Sequence, residues 1–176
     1  MKKHISQYTV PALRPYQEEI ARAVLESIKE DKGLTFSVEI ARQGGKNELS
    51  ARLETWLLIY NNNSGSKNLI KCSPTFQPQA IISMGRLRES LDGSGVSGEW
   101  STEHGYIIRL GDARAIFLSA DESARVVGHT AHLLLEIDEA QDVTKEKYTR
   151  EFKPMGATTN VTSLHKLVHP QISPSF

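Results

Sequence analysis

The spacing of hydrophobic residues changes from segment to segment and predicts alternating helices and strands. Residues 14–31 repeat apolar side chains at helical intervals: Ile20, Val24, Leu25 and Ile28. Residues 33–40 alternate apolar and polar side chains, which is typical of a strand with one buried face. Residues 49–60 return to helical spacing, and the polar run NNNSGS ends that helix. Its apolar stripe comprises Leu49, Leu53, Trp56, Leu57 and Tyr60.

The rest of the chain continues this alternation. NLIKCS predicts a short strand, and residues 77–91 predict a helix with an apolar stripe of Ala80, Met84, Leu87 and Leu91. The glycine-rich residues 93–98 are expected to form a flexible loop. YIIRL and AIFLS flank GDAR as the strands of a hairpin, HLLLEI predicts a buried strand, and TKEKYTREF predicts a short helix. This order favours an α/β domain with a largely parallel sheet.

Composition narrows the class of protein. The 176 residues are enough for one domain with a substantial core. Basic and acidic residues number 21 each, so the formal net charge of zero argues against binding nucleic acid by bulk electrostatics, while leaving room for a local basic groove. The single cysteine, Cys72, excludes a disulfide within the chain. With no apolar run long enough for a bilayer and no signal peptide, we expect a soluble intracellular protein.

The loop IARQGGKNE, residues 40–48, follows the predicted strand and precedes the predicted helix. Gly44, Gly45 and Lys46 match the phosphate-binding pattern G-x-x-x-x-G-K-[ST], in which small residues let backbone N–H groups surround phosphate oxygens. Ile40 stands at the first glycine of the pattern and Asn47 at the final Ser/Thr. Asparagine offers a carbonyl oxygen to a hard cation. The simpler alternative is a turn with an exposed lysine before a helix.

A second motif, DEAQD, follows the buried run HLLLEI. An aspartate at such a strand end can hold Mg²⁺, and the next carboxylate can polarise an attacking water, which are the roles that Asp138 and Glu139 would take. An ordinary acidic turn after a strand is the alternative. Both motifs follow predicted strands, and ligands of open α/β sheets bind at the carboxyl ends of the strands. Together they predict a site for ATP and Mg²⁺.

Four segments together give the chain a resemblance to a known family. LRPYQEEIARAVLESI, ARQGGKNE, IDEAQD and MGATTNVTS resemble the ATPase domain of tailed-phage terminase large subunits, the DNA-packaging motors of these viruses. The resemblance covers residues 12–163. It implies an α/β P-loop NTPase fold of the ASCE or RecA-like class, with a largely parallel central sheet flanked by helices.

The resemblance also implies roles for individual residues. The phosphates would be bound by Gln43, Gly44, Gly45 and Lys46. Mg²⁺ would be held by Asn47 and Asp138. Catalysis would fall to Glu139, with Arg42 acting on the γ-phosphate charge. Hydrolysis would be coupled to DNA movement by Thr158 and Thr159. The adenine would be contacted by Tyr16 and Gln17, through ring stacking and paired amide hydrogen bonds.

Simpler interpretations stay open for several of these residues. Arg42 is then a surface arginine near an anionic ligand, Thr158 and Thr159 are strand residues, and Tyr16 with Gln17 only begins an amphipathic helix. The partners that the resemblance implies are double-stranded DNA, a portal protein and a small terminase subunit, around which an active oligomeric ring would assemble in the host cytoplasm.

Two departures from the family pattern lead to further expectations. Glu136 interrupts an apolar strand, where a buried carboxylate needs a partner. The family carries a C-terminal nuclease domain for which this sequence has no room. We therefore divide the chain into an N-terminal extension (1–13), an ATPase domain (14–162) and an irregular tail (163–176), and hypothesise that the tail reflects truncation or an altered reading frame.

Two other functions compete with the terminase motor. The first motor domain of a superfamily 1 or 2 helicase shares the chemistry of the DEAQ motif. Helicases usually present a hydroxyl after the lysine, whereas this chain has Asn47. The second alternative is a catalytically silent nucleotide-binding protein, which Asn47 and the short chain also favour.

Overall fold

The computed structural model describes residues 12–41, 43–124, 126 and 128–168. The helices are α1 (Pro15–Lys29), α2 (Lys46–Asn61), α3 (Ile81–Gly93) and the short α4 (Lys145–Lys147), which continues as helical turns through Tyr148–Phe152 and Lys153–Gly156. The strands are β1 (Thr35–Ile40), β2 (Lys67–Ser73), β3 (Trp100–Glu103), β4 (Ile107–Leu110), β5 (Ala113–Ser119), β6 (Leu134–Ile137) and β7 (Ser163–Val168).

All seven strands form one sheet in the order β1-β7-β6-β2-β5-β4-β3. The first five strands in this order run parallel, and β4 and β3 add an antiparallel edge that includes the predicted hairpin. Strand β7 lies between β1, which leads into the glycine loop, and β6, which is followed directly by Asp138. An additional strand therefore separates the two halves of the predicted site.

Helices cover both faces of this sheet, because alternate side chains along the central strands point to opposite faces and both sets are largely apolar. Leu69 and Leu134 belong to a core cluster shared with α1, α2 and α3. Their neighbours Ile70 and Leu135 belong to a second cluster on the other face, which Phe152 helps to cover. Central parallel strands must be apolar on both sides, and this accounts for the continuous hydrophobic runs in the sequence. The α/β prediction is confirmed.

Helices α2 and α3 lie where the periodicity places them, with one exception. The four residues of the predicted stripe around α3 are all buried: Ala80, which immediately precedes the helix, and Met84, Leu87 and Leu91 within it. In α2, Leu49, Leu53 and Leu57 are buried, but Tyr60 is 56% exposed and stacks on Trp56 with 5.0 Å between ring centroids. Near the end of α2 the packed face has rotated to Leu58 and Ile59, so assigning Tyr60 to the buried stripe was wrong.

The greatest difference from the sequence-based expectation concerns residues 163–168. They were assigned to an irregular tail, but they form β7, paired with β1 on one side and with β6 on the other. Lys166 hides the strand in the sequence pattern because its charge interrupts the apolar alternation, although its side chain is 0% exposed. The strand β3 was likewise missed. The extension at residues 1–11 and the end at 169–176 lie outside the described residues.

Among the residues that the structure describes, no helix has both the length and the apolar character to cross a bilayer.

Candidate functional site

The glycine loop connects the end of β1 to the start of α2, and its path requires glycine at two positions. A Cβ added at Gly44 would lie 2.5 Å from Cγ2 of Ile40. Gly45 has φ +80°, a left-handed conformation that disfavours L side chains. The loop is therefore compact and leads directly into the N-terminus of a 16-residue helix. Such an N-terminus, with its unpaired N–H groups and positive dipole end, favours a bound phosphate.

Helix α1 holds this loop from one side. The Tyr16 hydroxyl donates to the carbonyl of Gly44. The Gln17 side chain is 2% exposed, and its Nε2 donates to the carbonyl of Gly45 at 3.0 Å while its Oε1 accepts from the main-chain N–H of Arg14 at 2.9 Å. The adenine contact of this pair stays a prediction. In this structure the Gln17 amide holds the loop through both of these hydrogen bonds.

Lys46, the first residue of α2, points at two carboxylates. Its Nζ lies 3.5 Å from Oδ1 of Asp138 and 3.6 Å from Oε1 of Glu139. The same nitrogen is buried and has no hydrogen-bond partner within the described part of the chain. A buried ammonium without hydrogen bonds is costly. It fits a site that an anionic ligand completes.

The donor set also fits a magnesium ion shared with phosphate. Mg²⁺ is usually bound by one or two carboxylates together with waters and phosphate oxygens, without a protein cage. The described residues contain no group of three or more His, Cys, Asp or Glu side chains that could hold a metal. Asp138 and the amide oxygen of Asn47 are the ligands that the chain can contribute beside the loop, and Asn47 lines the same cleft as Lys46.

Glu139 is held in an unusual conformation at the end of β6. Its φ is +46°, a region that residues other than glycine rarely adopt and that costs on the order of 1–3 kcal/mol. Its Oε2 accepts a hydrogen bond of 2.6 Å from Nε2 of Gln79. The Gln79 side chain is in turn held by Thr75, whose main-chain N–H and hydroxyl both contact its Oε1. Sequence reasoning missed Gln79, since no motif marks it.

A cleft of about 550 Å³ opens over these residues. The loop and α2 contribute Gln43, Gly45, Lys46 and Asn47, and the turn after β6 contributes Glu139, Gln141 and Asp142. Ile82 and Arg86 of α3 form another wall. Val168, the last residue of β7, also lines the cleft.

Behind the cleft, a chain of buried charges runs through the core toward α2. Lys166 Nζ lies 3.8 Å from Asp138 Oδ1 and 2.8 Å from Glu136 Oε2. Lys71 Nζ lies 3.8 Å from the same oxygen of Glu136 and 2.8 Å from Glu54 Oε1. The partner that the sequence required for Glu136 is therefore a pair of lysines. Both lysines interrupt apolar strands just as Glu136 does, and that shared signal could have identified them.

These charges set the ionisation of Asp138. Burial opposes its charged form, but the positive charges of three lysines outweigh burial and lower the pKa of Asp138 to about 2. The three are Lys166, Lys71 and Lys46. For Glu136 burial is again outweighed by Lys166 and Lys71, and its pKa is lowered. For Glu54, burial dominates and raises the pKa. Asp138 therefore stays ionised at neutral pH and is ready to bind a cation.

The threonines assigned to coupling do not join this site. Thr158 and Thr159 lie in the turn before β7, and the Thr159 hydroxyl donates to the carbonyl of Ala131 at 2.5 Å, upstream of β6. Because β7 runs parallel to β1 and β6, this turn lies at the edge of the sheet opposite the cleft. A strand of six residues spans roughly 20 Å, so these threonines cannot touch a phosphate at the loop. The coupling role of the two threonines stays a prediction. Arg42 lies outside the described residues.

Comparison of the fold with solved structures gives consistent neighbours. The large terminase of bacteriophage HK97 superposes with a TM-score of 0.71 at 16% identity, over 89% of this chain and 33% of the terminase. The large terminase of a thermophilic bacteriophage in complex with ADP gives a TM-score of 0.62 at 13% identity, over 88% of this chain and 39% of that one. The chain thus spans about a third of the HK97 terminase.

A more distant neighbour is the Sulfolobus solfataricus SWI2/SNF2 ATPase core in complex with double-stranded DNA. Its TM-score is 0.54 at 16% identity, over 94% of this chain and 34% of that chain. No protein-family model and no curated protein sequence matches the chain. The chain therefore has the P-loop fold of the ATPase domains of phage large terminases.

Proposed function

We propose that this chain is the ATP-hydrolysing motor domain of a phage terminase large subunit, in which hydrolysis drives double-stranded DNA into a procapsid. The observation that carries the proposal is the position of Lys46. Its buried ammonium group lies at the N-terminus of α2, faces Asp138 and Glu139, and lacks a hydrogen bond within the described residues. A phosphate with its cation supplies what this arrangement needs.

Each residue then has a defined task. Lys46 and the backbone of the glycine loop bind the β- and γ-phosphates, and Tyr16 with Gln17 keeps that loop in shape. Asp138 and Asn47 hold Mg²⁺, which neutralises charge on the phosphates when bound. Glu139 orients the attacking water and accepts its proton on a carboxylate oxygen. Arg42, within the loop, is assigned to the charge on the γ-phosphate.

The structural neighbours support parts of this proposal. One terminase neighbour contains ADP, and the ATPase core related at lower similarity contains double-stranded DNA. Nucleotide and duplex DNA are therefore the ligands we assign to this chain. The portal protein, the small terminase subunit and the oligomeric ring follow from the proposed family, as does the host cytoplasm as the place of action.

The similarity to the SWI2/SNF2 core favours one competing function, the first motor domain of a helicase-like translocase. Asn47 argues against it, because helicases usually present a hydroxyl after the loop lysine. Substituting Asn47→Ser separates the two. A terminase-like site that uses the amide should lose Mg²⁺-dependent nucleotide affinity, whereas a helicase-like site should gain it.

The experiment that tests the proposal is phosphate release from ATP by the purified chain, with and without linear double-stranded DNA. A motor domain should turn over ATP and be stimulated by DNA. Replacement of Glu139 by Gln should lower turnover about 100-fold or more while nucleotide binding is retained. Nucleotide binding without turnover, with or without DNA, would instead identify a silent nucleotide-binding protein.

A further inference from the structure

We propose that Gln79 is a positioning residue for the catalytic carboxylate of Glu139, an inference that rests on the proposed function. Residues 74–80 connect β2 to α3, and Gln79 lies in this segment. Gln79 Nε2 donates a hydrogen bond of 2.6 Å to Oε2 of Glu139, two residues after the end of β6. A hydrogen bond of this length to a carboxylate belongs to the strong, charge-assisted class.

The orientation of the Gln79 amide follows from its other partners. The main-chain N–H of Thr75 can only donate, and it lies 2.9 Å from the oxygen of the Gln79 amide. The Thr75 hydroxyl lies 3.0 Å from the same oxygen. With the oxygen fixed by two donors, the NH₂ group must face Glu139. The amide is therefore held at one end by Thr75 and holds Glu139 at the other.

Glu139 needs such a holder for two reasons. Its backbone occupies a left-handed conformation, φ +46°, so its side chain leaves β6 in a direction that the strand geometry does not itself define. Its second oxygen, Oε1, faces Lys46 at 3.6 Å. When Lys46 binds phosphate, that contact weakens, and the bond from Gln79 is the one that keeps the carboxylate in place among the described residues.

A neutral amide suits this position better than a cation. The amide of Gln79 donates a hydrogen bond without adding charge. We infer that the two oxygens of Glu139 have separate tasks: Oε2 accepts the hydrogen bond from Gln79, and Oε1 is left for the attacking water.

Steady-state kinetics of the full chain test the role of Gln79. We expect Gln79→Ala to lower kcat roughly 10- to 100-fold, because a misplaced catalytic group costs about that much, while KM stays within about twofold. Thr75→Ser keeps the supporting hydroxyl and should retain wild-type kcat. Gln77→Ala, at an exposed side chain of the same segment, is the matched control and should also retain it.

Combining Gln79→Ala with Glu139→Gln distinguishes a positioning role from a merely structural one. If Gln79 acts through Glu139, Gln79→Ala should cause no further loss of kcat in a Glu139→Gln chain, because residues that act as a unit are non-additive. Equal losses in both backgrounds would overturn the proposal.

A third measurement does not depend on turnover. Unfolding by urea of wild type, Gln79→Ala, Glu139→Ala and the double variant forms a thermodynamic cycle. The contact predicts that the single changes are non-additive by at least about threefold in the unfolding equilibrium constant. Additive changes would overturn the proposed contact whatever the activity. A folded wild-type chain that binds no nucleotide would instead overturn the proposed function, which keeps the two failures apart.

Discussion

Lys166 and Glu136 form an ion pair in the centre of the sheet, with 2.8 Å between Nζ and Oε2 and no exposure of either side chain. The pair joins β7 to β6, and the same lysine lies 3.8 Å from Asp138. Removing two charges from water is expensive, so such a pair persists where its members are held by further partners. Here the pair links the strand beside the glycine loop to the candidate metal ligand.

Breaking this pair from one side should destabilise the protein strongly. Lys166→Met leaves a buried carboxylate without its nearest cation, and we expect a loss of about 3–5 kcal/mol in the free energy of unfolding. Adding Glu136→Gln removes the orphaned charge, so the double variant should be more stable than Lys166→Met alone. Urea unfolding measures both. A double variant less stable than the lysine variant would contradict the pairing.

The charges around Asp138 predict a specific dependence of stability on pH. Its pKa is about 2 in the folded protein, below the ordinary value near 3.9 in an unfolded chain. The unfolded chain therefore takes up the proton first as the pH falls. The stabilisation is complete above about pH 4 and is lost as the pH falls from about 4 toward 2.

This pH dependence can be measured with Asp138→Asn in metal-free buffer. The difference in the free energy of unfolding between wild type and the variant should be largest at neutral pH and should shrink below about pH 4. A difference that is constant from pH 7 to pH 3 would show that the neighbouring lysines do not stabilise the carboxylate.

Gly45 in the loop and Gly85 in α3 offer a matched pair of glycine-to-alanine substitutions. Gly45→Ala places a side chain at φ +80° and 2.5 Å from Nε2 of Gln17, so we expect a loss of about 1–2 kcal/mol or more and a weakened nucleotide site. At Gly85, within α3, an added Cβ meets nothing within 4 Å, and Gly85→Ala should gain about 0.5–1 kcal/mol. Thermal unfolding compares them. Equal effects would contradict the constraint on the loop.

Much of the fold could be predicted because period-two and helical spacings are strong in this chain. The strand before the loop and the stripe of α3 are clear in the sequence, and both lie where they were placed. The strand β7 was harder to predict, since it carries Lys166 where an apolar residue is expected. That lysine is buried only because Glu136 and Asp138, about 30 residues earlier, become its neighbours in the fold, and single-sequence patterns do not contain such distant pairings.

The candidate site shows the same limit. Lys46, Asp138 and Glu139 are found from local motifs, because their chemistry requires fixed spacings at strand ends. Gln79 has no such spacing, since its role depends on a connecting segment that happens to pass beside Glu139. Thr158 and Thr159 were found from a family-like string of residues, and only the direction of β7 shows that they lie at the edge of the sheet opposite the cleft.

The most direct test of the account is calorimetric binding of Mg²⁺-ATP to the wild-type chain, to Lys46→Ala, and to Lys32→Ala as a control. Lys32 lies before β1, at the opposite edge of the sheet, in exposed ion pairs with Glu26 and Glu30. Wild type and Lys32→Ala should bind alike, while Lys46→Ala should lose roughly 30-fold or more in affinity. Equal affinity of all three folded chains, or no binding by wild type, would contradict a nucleotide site at the glycine loop.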